Sequence, residues 1–590
     1  MVKKSLITIG ILICLFSSTI GAVEIYPLSQ VYPGLKGIGK TVVQGTTIED
    51  FDVEVLSIIP QPSPTSTLIM VRVSGEAIER SGGIASGMSG SPVYIDNKLL
   101  GAIGYGYEYS DHRIGLVTPA AQMLALLENV PINNELIIPS GFSEIKTPLM
   151  VSGIQGRALK MLKDTFEPYN AAVIPGVSGI VDQFNSSELE PGSAFAVQLL
   201  RGDFQVAAFG TITEIDEHNR FVGFGHPFLH KGNVNYFVAP AVIHQTLPNL
   251  EFPFKIASAG PSAGTVYQDR AAGVGGVLHY YSDYIPIMIT VEDVTRNIQD
   301  SYRVESIVDD SLINALAISS AYQGVDSTLD RIGAGTAYVR VEFFVRDLLN
   351  PIIRENMFYS DTDIAVWALS DLSEGIDLIT SNTLQHVELE KISTEIVIKD
   401  ERKTAEIEKA IPRLFQVKAG DSIEVEVKIR PYRQPVENRI LRIEIPEDTL
   451  PGPMTVSVRG GGMGYYAIKP TVHTTWQSLE QDDTEEMWQE PTQAESFDIL
   501  MAKYVDREQN NEIVAEFYPF IDTYTYEEPE PEVNDTVIYN GETIPVSEVE
   551  LLEQDYGHYH WENADTEPIR VRLNTQYVIE GSASFEIEVI

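Results

Sequence analysis

Cysteine is almost absent from this sequence. Its 590 residues include a single cysteine, Cys14, within the N-terminal segment. Without that segment the chain would have no thiol, so it could form neither a disulfide nor a thiolate metal site.

Basic residues are also scarce. The sequence holds 41 Lys and Arg residues against 84 Asp and Glu residues, a formal net charge of -43 at pH 7. A field of this sign repels phosphate backbones and anionic membrane surfaces, so nucleic acid is excluded as an expected partner. The excess of acidic residues is also compatible with the simpler role of keeping an exported protein soluble.

The apolar run at the N terminus is short for a membrane span. Lys3 and Lys4 precede it, it extends from Leu6 to Ile20, and small residues follow it. This three-part layout is typical of a secretory signal peptide, which we assign to residues 1–22. We therefore expect an exported protein, periplasmic, at the cell surface or extracellular, with no integral span after cleavage. An uncleaved N-terminal anchor is the alternative.

Strand signals dominate most of the remaining chain. Phe51, Val53 and Val55 alternate with acidic residues, as in a half-buried strand. Asp96 and Asn97 separate two apolar runs, which predicts a tight hairpin. The sequence therefore predicts a mainly β protein.

Changes in composition divide the chain further. One early helix is predicted in TPAAQMLALLENV, with Thr118 as its cap and Pro119 in its first turn. Alternating strands favour a small β-sandwich module, and an acidic, Pro-rich composition follows it. The predicted units are a β-rich unit 23–290, a mixed connecting region 291–384, a β-sandwich module 385–465 and an acidic, partly flexible C-terminal region 466–590.

The segment GMSGS contains the candidate nucleophile, Ser89. It does not fit the G-x-S-x-G elbow of α/β-hydrolases, because Ser91 replaces the second glycine and an apolar strand follows. It fits the loop of chymotrypsin-like proteases, in which a glycine two residues before the serine lets backbone N–H groups face an oxyanion. Those groups would come from Gly87, Met88 and Ser89. A glycine- and serine-rich turn without chemistry remains the alternative.

A serine needs a base, and no histidine precedes Ser89. His226, between Gly225 and Pro227, lies at the predicted end of an apolar strand and is the candidate general base. A hydrogen-bonded structural histidine is the alternative there. His230 lies four residues further on, but no Glu or Cys completes a zinc pattern, so we expect neither a metal nor another cofactor.

Two segments together resemble a known family. SGGIASGMSGSPVYIDNKLLGAIGYG is similar to the nucleophile segment of the SpoIVB-type serine peptidases, and VGFGHPF is similar to their histidine segment. The resemblance covers about residues 30 to 290. It implies a chymotrypsin-like β-barrel peptidase unit at 23–290, with Ser89 as the nucleophile and His226 as the general base. The predicted fold is therefore mainly β: this unit, then the β-sandwich module and the acidic C-terminal region.

This sequence departs from the family pattern in two respects. The histidine segment follows the serine segment here, whereas the family has the opposite order, and such an exchange is harmless if the termini lie close together. Ser74 occupies the position of the family's acidic residue. Asp269, in a glycine-bounded loop in the same half as His226, is the candidate replacement. The alternative is that Asp269 and Arg270 only fix a turn.

Two functions follow from these residues. The first is a secreted serine endopeptidase, acting on protein or peptide substrates with a backbone oxyanion hole. The second is a catalytically weak or inactive protease-like scaffold that binds peptides or protein partners outside the cytoplasm. The oligomeric state is not predicted.

Overall fold

The structure is a computed structural model that describes residues 23–60, 67–107, 109, 111–128, 142–144, 148–169, 171–176, 189–464, 496–519, 536–539, 542–545 and 568–590. The predicted signal peptide, residues 1–22, lies outside these residues, as does much of the acidic C-terminal region. Within the described part of the chain, no helix is both long enough and apolar enough to cross a membrane.

The first unit is a closed β-barrel. Its strands are β1 (Lys36–Val42), β2 (Ile48–Ile59), β3 (Leu68–Ser74), β4 (Pro92–Ile95), β5 (Lys98–Tyr107), β6 (Ile114–Pro119) and β7 (Phe142–Glu144). They pair in the order β4-β1-β2-β3-β6-β5, and β5 pairs back to β4, which closes the sheet, while β7 adds to β5. We call this unit the first barrel. It encloses its own hydrophobic core, which includes Phe51, Val53 and Val55.

The predicted hairpin is present in the first barrel. Asp96 and Asn97 connect β4 to β5 and have φ angles of 50° and 61°. This left-handed backbone suits a two-residue turn between twisted strands, and Asn and Asp tolerate it better than most residues.

The predicted early helix is shorter in the structure than in the sequence pattern. Helix α1 (Glu76–Ser81) precedes the serine loop, and α2 (Ala120–Leu124) continues as the 3-10 turn Ala125–Glu128. Thr118 is not the helix cap, because it still belongs to β6 and its hydroxyl donates to the carbonyl of Gly225 at 2.6 Å. The Thr118 hydroxyl, which the pattern predicts as the helix cap, thus binds a carbonyl 107 residues away in sequence.

A second barrel follows in the chain. The strands of this region are β8 (Leu149–Ser152), β9 (Val173–Pro175), β10 (Ala194–Gly202), β11 (Gln205–Ile215), β12 (Arg220–Gly223), β13 (Gly232–Leu247), β14 (Phe254–Ala259), β15 (Gly264–Arg270) and β16 (Gly273–Leu278). The order β10-β13-β15-β16-β12-β11 closes because β11 also pairs with β10. We call this closed sheet the second barrel. Helix α3 (Gly156–Phe166) lies between β8 and β9 in sequence.

The sheet of the second barrel continues into an open extension. Its strands are β17 (Tyr284–Asp293), β18 (Ile298–Ile307), β19 (Gly335–Val345), β20 (Ile352–Ser360) and β21 (Leu389–Lys399). They follow the order β20-β19-β21-β17-β18, and β18 pairs with β10. Three helices accompany them: α4 (Ile313–Leu329), α5 (Ile364–Ala368) and α6 (Ser370–Thr380). One large hydrophobic core runs from the second barrel into this extension.

The C-terminal part contains two further sheets with a common core. Its elements are β22 (Thr404–Pro412), β23 (Gln416–Val417), β24 (Ser422–Pro431), β25 (Glu437–Glu444), β26 (Gly452–Gly460), α7 (Phe497–Asp506), β27 (Glu512–Phe517), β28 (Thr536–Tyr539), β29 (Glu542–Pro545), β30 (Ile569–Asn574), β31 (Val578–Glu580) and β32 (Ser582–Val589). The sheets are β25-β24-β22-β31 and β23-β32-β26-β27-β30, while β28 and β29 form a separate pair. Buried side chains from both larger sheets form one cluster.

The prediction of a mainly β fold with a β-barrel unit is confirmed by these closed sheets. The domain boundaries and the β-sandwich module stay predictions. Two pairings bear on them. Strand β21 pairs with β17 and β19, and β26 pairs with β27 and β32, so sheet contacts cross residues 385 and 465.

Candidate active site

Ser89 lies in the loop between α1 and β4 of the first barrel. Residues 82–91, which we call the serine loop, are short of side-chain bulk, and Gly87 has a φ of +93°. Ser89 itself has no exposed surface. Its Oγ has no hydrogen-bond partner among the described residues. A buried hydroxyl without a partner loses hydrogen bonds to water without replacing them, which is uncommon in folded proteins.

The carbonyl oxygens of the serine loop are held by the second barrel. The backbone N–H of Thr211 donates to Ser89 O at 2.8 Å, and its hydroxyl donates to Gly87 O at 3.1 Å. The hydroxyl of Thr213 donates to Gly90 O at 2.7 Å. Since these donors all belong to β11, one strand of the second barrel fixes the conformation of the serine loop.

The amide groups of the same loop divide into two sets. Met88 N donates to Ala85 O at 2.8 Å, and Gly90 N donates to Ile103 O at 2.8 Å. For the N–H groups of Gly87 and Ser89, no acceptor occurs among the described residues. Of the predicted oxyanion residues, Gly87 and Ser89 therefore have N–H groups available to a ligand, and the N–H of Met88 is already engaged.

His226 follows β12 of the second barrel through a tight turn. Phe224 and Gly225 have φ angles of 68° and 69°, and Gly225 N donates to Gly223 O at 2.8 Å. The imidazole is 2% exposed. It stacks on the Phe224 ring with centroids 5.8 Å apart and meets Tyr105 of β5 edge-on at 6.4 Å.

Strand β5 brings the serine loop and the His226 turn together. Gly90 N donates to Ile103 O, and Ile103 N donates to Ser91 O at 3.0 Å. On the next residue, a Cβ atom at Gly104 would lie 2.3 Å from Gly225 O, so only glycine permits this approach. The two segments, which come from different barrels, thus contact successive residues of one strand. No hydrogen bond joins Ser89 Oγ to His226.

The hydrogen bond of His226 indicates which ring nitrogen is protonated. Its Nδ1 lies 2.6 Å from the carbonyl oxygen of Pro227, which can only accept. Nδ1 therefore has the proton, and Nε2 has the lone pair that a general base requires. Burial lowers the pKa of His226 to about 4, and the bond to Pro227 opposes this shift. The imidazole is neutral at neutral pH.

Asp269 is fully buried and contacts the segment after His226. Its carboxylate accepts from the N–H groups of Phe228 and Leu229, both at 2.7 Å, and from that of Lys231 at 3.5 Å. Burial raises the pKa of Asp269, and these hydrogen bonds oppose the rise. The structure thus places Asp269 beside the His226 turn, where it holds the backbone, while Pro227 O occupies Nδ1 of the imidazole.

The hydroxyl of Ser91, two residues after the candidate nucleophile, has a partner within the site. Ser91 Oγ donates to Thr211 Oγ1 at 3.5 Å.

Among the described residues, no group of three or more His, Cys, Asp or Glu side chains is arranged to hold a metal ion.

Sequence reasoning missed Thr211, Thr213 and Lys255. The Lys255 side chain, on β14, is 1% exposed and reaches the serine loop. A lysine among the apolar residues of FPFKIASA was a possible signal. Nothing local to the two threonines marks their contacts with the serine loop, about 120 residues away.

One comparison with known proteins gave a match. The family model described as SpoIVB peptidase S55 matches residues 19–124, which include the serine loop and β5. The resemblance of this segment to the SpoIVB-type family is thereby confirmed. The match ends before the His226 turn, so it does not test the exchanged order of the two segments. Neither a curated protein nor a solved structure matches the chain.

Proposed function

We propose, from the premise that residues 19–124 are a segment of SpoIVB peptidase type, that this chain is a serine endopeptidase. Ser89 is its nucleophile, His226 its general base, and the N–H groups of Gly87 and Ser89 its oxyanion hole. One observation supports this assignment most: the serine loop and the His226 turn come from two closed barrels and meet on successive residues of β5.

The reaction would proceed by acyl transfer. Ser89 Oγ attacks the carbonyl carbon of the scissile peptide while His226 Nε2 accepts the hydroxyl proton, and the N–H groups of Gly87 and Ser89 stabilise the oxyanion. His226 then returns the proton to the leaving amine, which departs and leaves an ester on Ser89. Water hydrolyses that ester by the same sequence.

In this proposal Asp269 supports the general base by binding the backbone that follows His226, not the imidazole itself. By accepting the N–H groups of Phe228 and Leu229 it fixes the turn after His226, and Pro227 O orients the imidazole directly. We also propose that the protein works outside the cytoplasm, because residues 1–22 have the layout of a signal peptide.

The alternative is a protease-like scaffold with weak or no activity. It is favoured by the burial of the site, since Ser89 is 0% and His226 2% exposed and the two share no hydrogen bond. An active enzyme of this structure must open its site to admit a substrate, whereas a scaffold need not.

A fluorophosphonate probe distinguishes the two functions. The full chain is treated with the probe, and the modified residue is located by mass spectrometry. We expect labelling at Ser89, none in Ser89→Ala, and labelling in the matched control Ser91→Ala. Ser89→Ala should lower the free energy of unfolding by only about 1 kcal/mol, so the variant should still fold.

Labelling of a folded Ser89→Ala protein, or of another serine in the wild type, would overturn the assignment of the nucleophile. A folded wild type that remains unlabelled would favour the scaffold.

A further inference from the structure

Lys255 is a buried lysine at the junction of the two barrels. It lies on β14 of the region that forms the second barrel, and its side chain is 1% exposed. Removing an ammonium group from water is costly unless the group finds partners that require it. The contacts of Lys255 therefore indicate what the burial achieves.

Among the residues that the structure describes, the hydrogen bonds of its Nζ atom are both made with the first barrel. Nζ donates to Gly87 O at 2.9 Å and to Thr41 Oγ1 at 3.2 Å. The backbone N–H of the same residue donates to Ser86 O at 3.1 Å. Lys255 thus holds two consecutive carbonyl groups of the serine loop, one through its main chain and one through its side chain.

The main-chain bond sets the direction of a catalytic amide. In a planar trans peptide the N–H points opposite to the C=O. Because Ser86 O faces Lys255, the N–H of Gly87 points away from β14. Thr211 N fixes Ser89 O from β11 in the same manner. The side-chain bond at Gly87 O, an oxygen that also accepts from the Thr211 hydroxyl, opposes rotation of the next peptide group, between Gly87 and Met88.

We propose that Lys255 is a positioning residue that holds the serine loop in the conformation required for the oxyanion hole. This inference rests on the proposed function. It adds a group outside the Ser89 and His226 pair that acts on the rate through the backbone of Gly87, without touching the substrate.

The charge of Lys255 should make its effect depend on pH. Burial alone lowers its pKa to about 7, and no charged neighbour among the described residues contributes to the shift. The group facing Nζ from β1 is the neutral Thr41, and the one facing it from the serine loop is a carbonyl. An ammonium binds a carbonyl more strongly than an amine does, so the loop is held most firmly below about 7.

The first experiment compares Lys255→Met with the wild type in the full-length protein. The variant keeps most of the apolar stem and removes the donor. We expect fluorophosphonate labelling and peptide hydrolysis to slow by about 10²-fold, comparable to the loss of one oxyanion donor, with the change in kcat and little change in KM. Thr41→Val is the control, because it removes the other partner of Nζ and keeps the bond from Nζ to Gly87 O, so its labelling rate should match that of the wild type.

The outcomes separate the two proposals. A wild type that is not labelled overturns the proposed function before any variant is compared. A labelled wild type with a folded Lys255→Met protein of unchanged rate overturns the role of Lys255 alone. A change in unfolding midpoint without a change in kcat has the same consequence, since it marks a purely structural residue.

A second measurement applies even if Lys255→Met fails to fold. The labelling rate of the wild type is followed as pH rises through about 7, where we expect a several-fold fall as the ammonium deprotonates. Lys255→Gln, which retains a donor without a titrating charge, should lack this fall. A flat wild-type profile, or an equal fall in Lys255→Gln, would contradict the proposal.

Discussion

At the scale of single residues, the proposed nucleophile and general base, Ser89 and His226, are each held by contacts with other residues. Ser89 and His226 could be selected because a glycine-rich turn and a glycine-preceded histidine are local patterns. The contacts that fix them differ in range: Thr211 reaches the serine loop from β11, whereas the imidazole is oriented by the carbonyl of Pro227, next in sequence to His226. A search for an acid to pair with the histidine could not anticipate that a carbonyl already occupies Nδ1.

Asp269→Asn tests the role of this carboxylate in holding the turn. The amide retains one oxygen acceptor but replaces the other with a donor, which would face the N–H of Phe228 or Leu229. We expect a loss of about 1–3 kcal/mol in unfolding free energy, measured in urea, and a lower rate of probe labelling.

Asp216→Asn is the matched control for that change. Its carboxylate also accepts two backbone N–H groups, those of His218 and Arg220, in a turn of the same sheet. The control should lose stability while the labelling rate stays unchanged. Equal labelling rates in both variants would argue that Asp269 has no bearing on His226.

At the scale of elements, alternation and turn residues predicted strands and the Asp96–Asn97 hairpin well. These local patterns gave a wrong prediction at Thr118, where a distant contact competes with a local one. Thr118 was predicted as a helix cap, but its hydroxyl instead donates to Gly225 O, and the strand continues to Pro119. The predicted cap position thus belongs to a strand that contacts the second barrel, and local sequence does not encode that contact.

Gly90→Ala tests the close approach of the serine loop to the second barrel. A Cβ atom there would lie 2.0 Å from Thr211 O and 2.5 Å from Phe224 N, both backbone atoms that cannot move alone. Gly34 has the same φ of +91° but open space around it, so Gly34→Ala is the matched control.

Both variants should lose about 1–2 kcal/mol from the left-handed backbone alone. We expect Gly90→Ala to lose clearly more in urea unfolding and to label more slowly. If the two variants proved equally stable, the barrels would not meet at Gly90 as closely as described.

At the scale of the whole molecule, closure of the barrels could not be derived from strand patterns. Closure depends on pairings such as β4 with β5 and β10 with β11, and periodicity does not reveal partners. The same limit applies to the C-terminal part. Strands β27 and β32 follow an acidic, Pro-rich stretch, yet they pair with β26 and share its core.

A buried arginine of the extension, Arg354, connects it to the C-terminal part. Nε of Arg354, on β20, lies 3.2 Å from Oδ2 of Asp371, on α6, and both side chains are 1% exposed. Arg354 also donates to carbonyl oxygens at the end of α7 and beyond it, those of Val505, Arg507 and Glu508. One guanidinium thus joins three elements.

Arg354→Met should be strongly destabilising. It leaves the Asp371 carboxylate buried without its cation and frees the carbonyls after α7, which we expect to cost about 3–5 kcal/mol. Arg346→Met, which removes exposed contacts with Glu388 and Glu390, should have a much smaller effect. Thermal unfolding followed by circular dichroism compares them, and similar midpoints would contradict a structural role for the buried pair.

The order of the two barrels along the chain has a consequence for biosynthesis. A ribosome makes the proposed nucleophile, Ser89, first, while Thr211, His226 and Lys255 are still untranslated. Domains generally fold in the order in which they are made. A nascent chain can therefore complete the first barrel, but its serine loop lacks the donors of β11 and β14 that fix it. On the proposed mechanism, an unfinished chain therefore has no peptidase activity. The chain becomes active only after the last strands of the second barrel have been made.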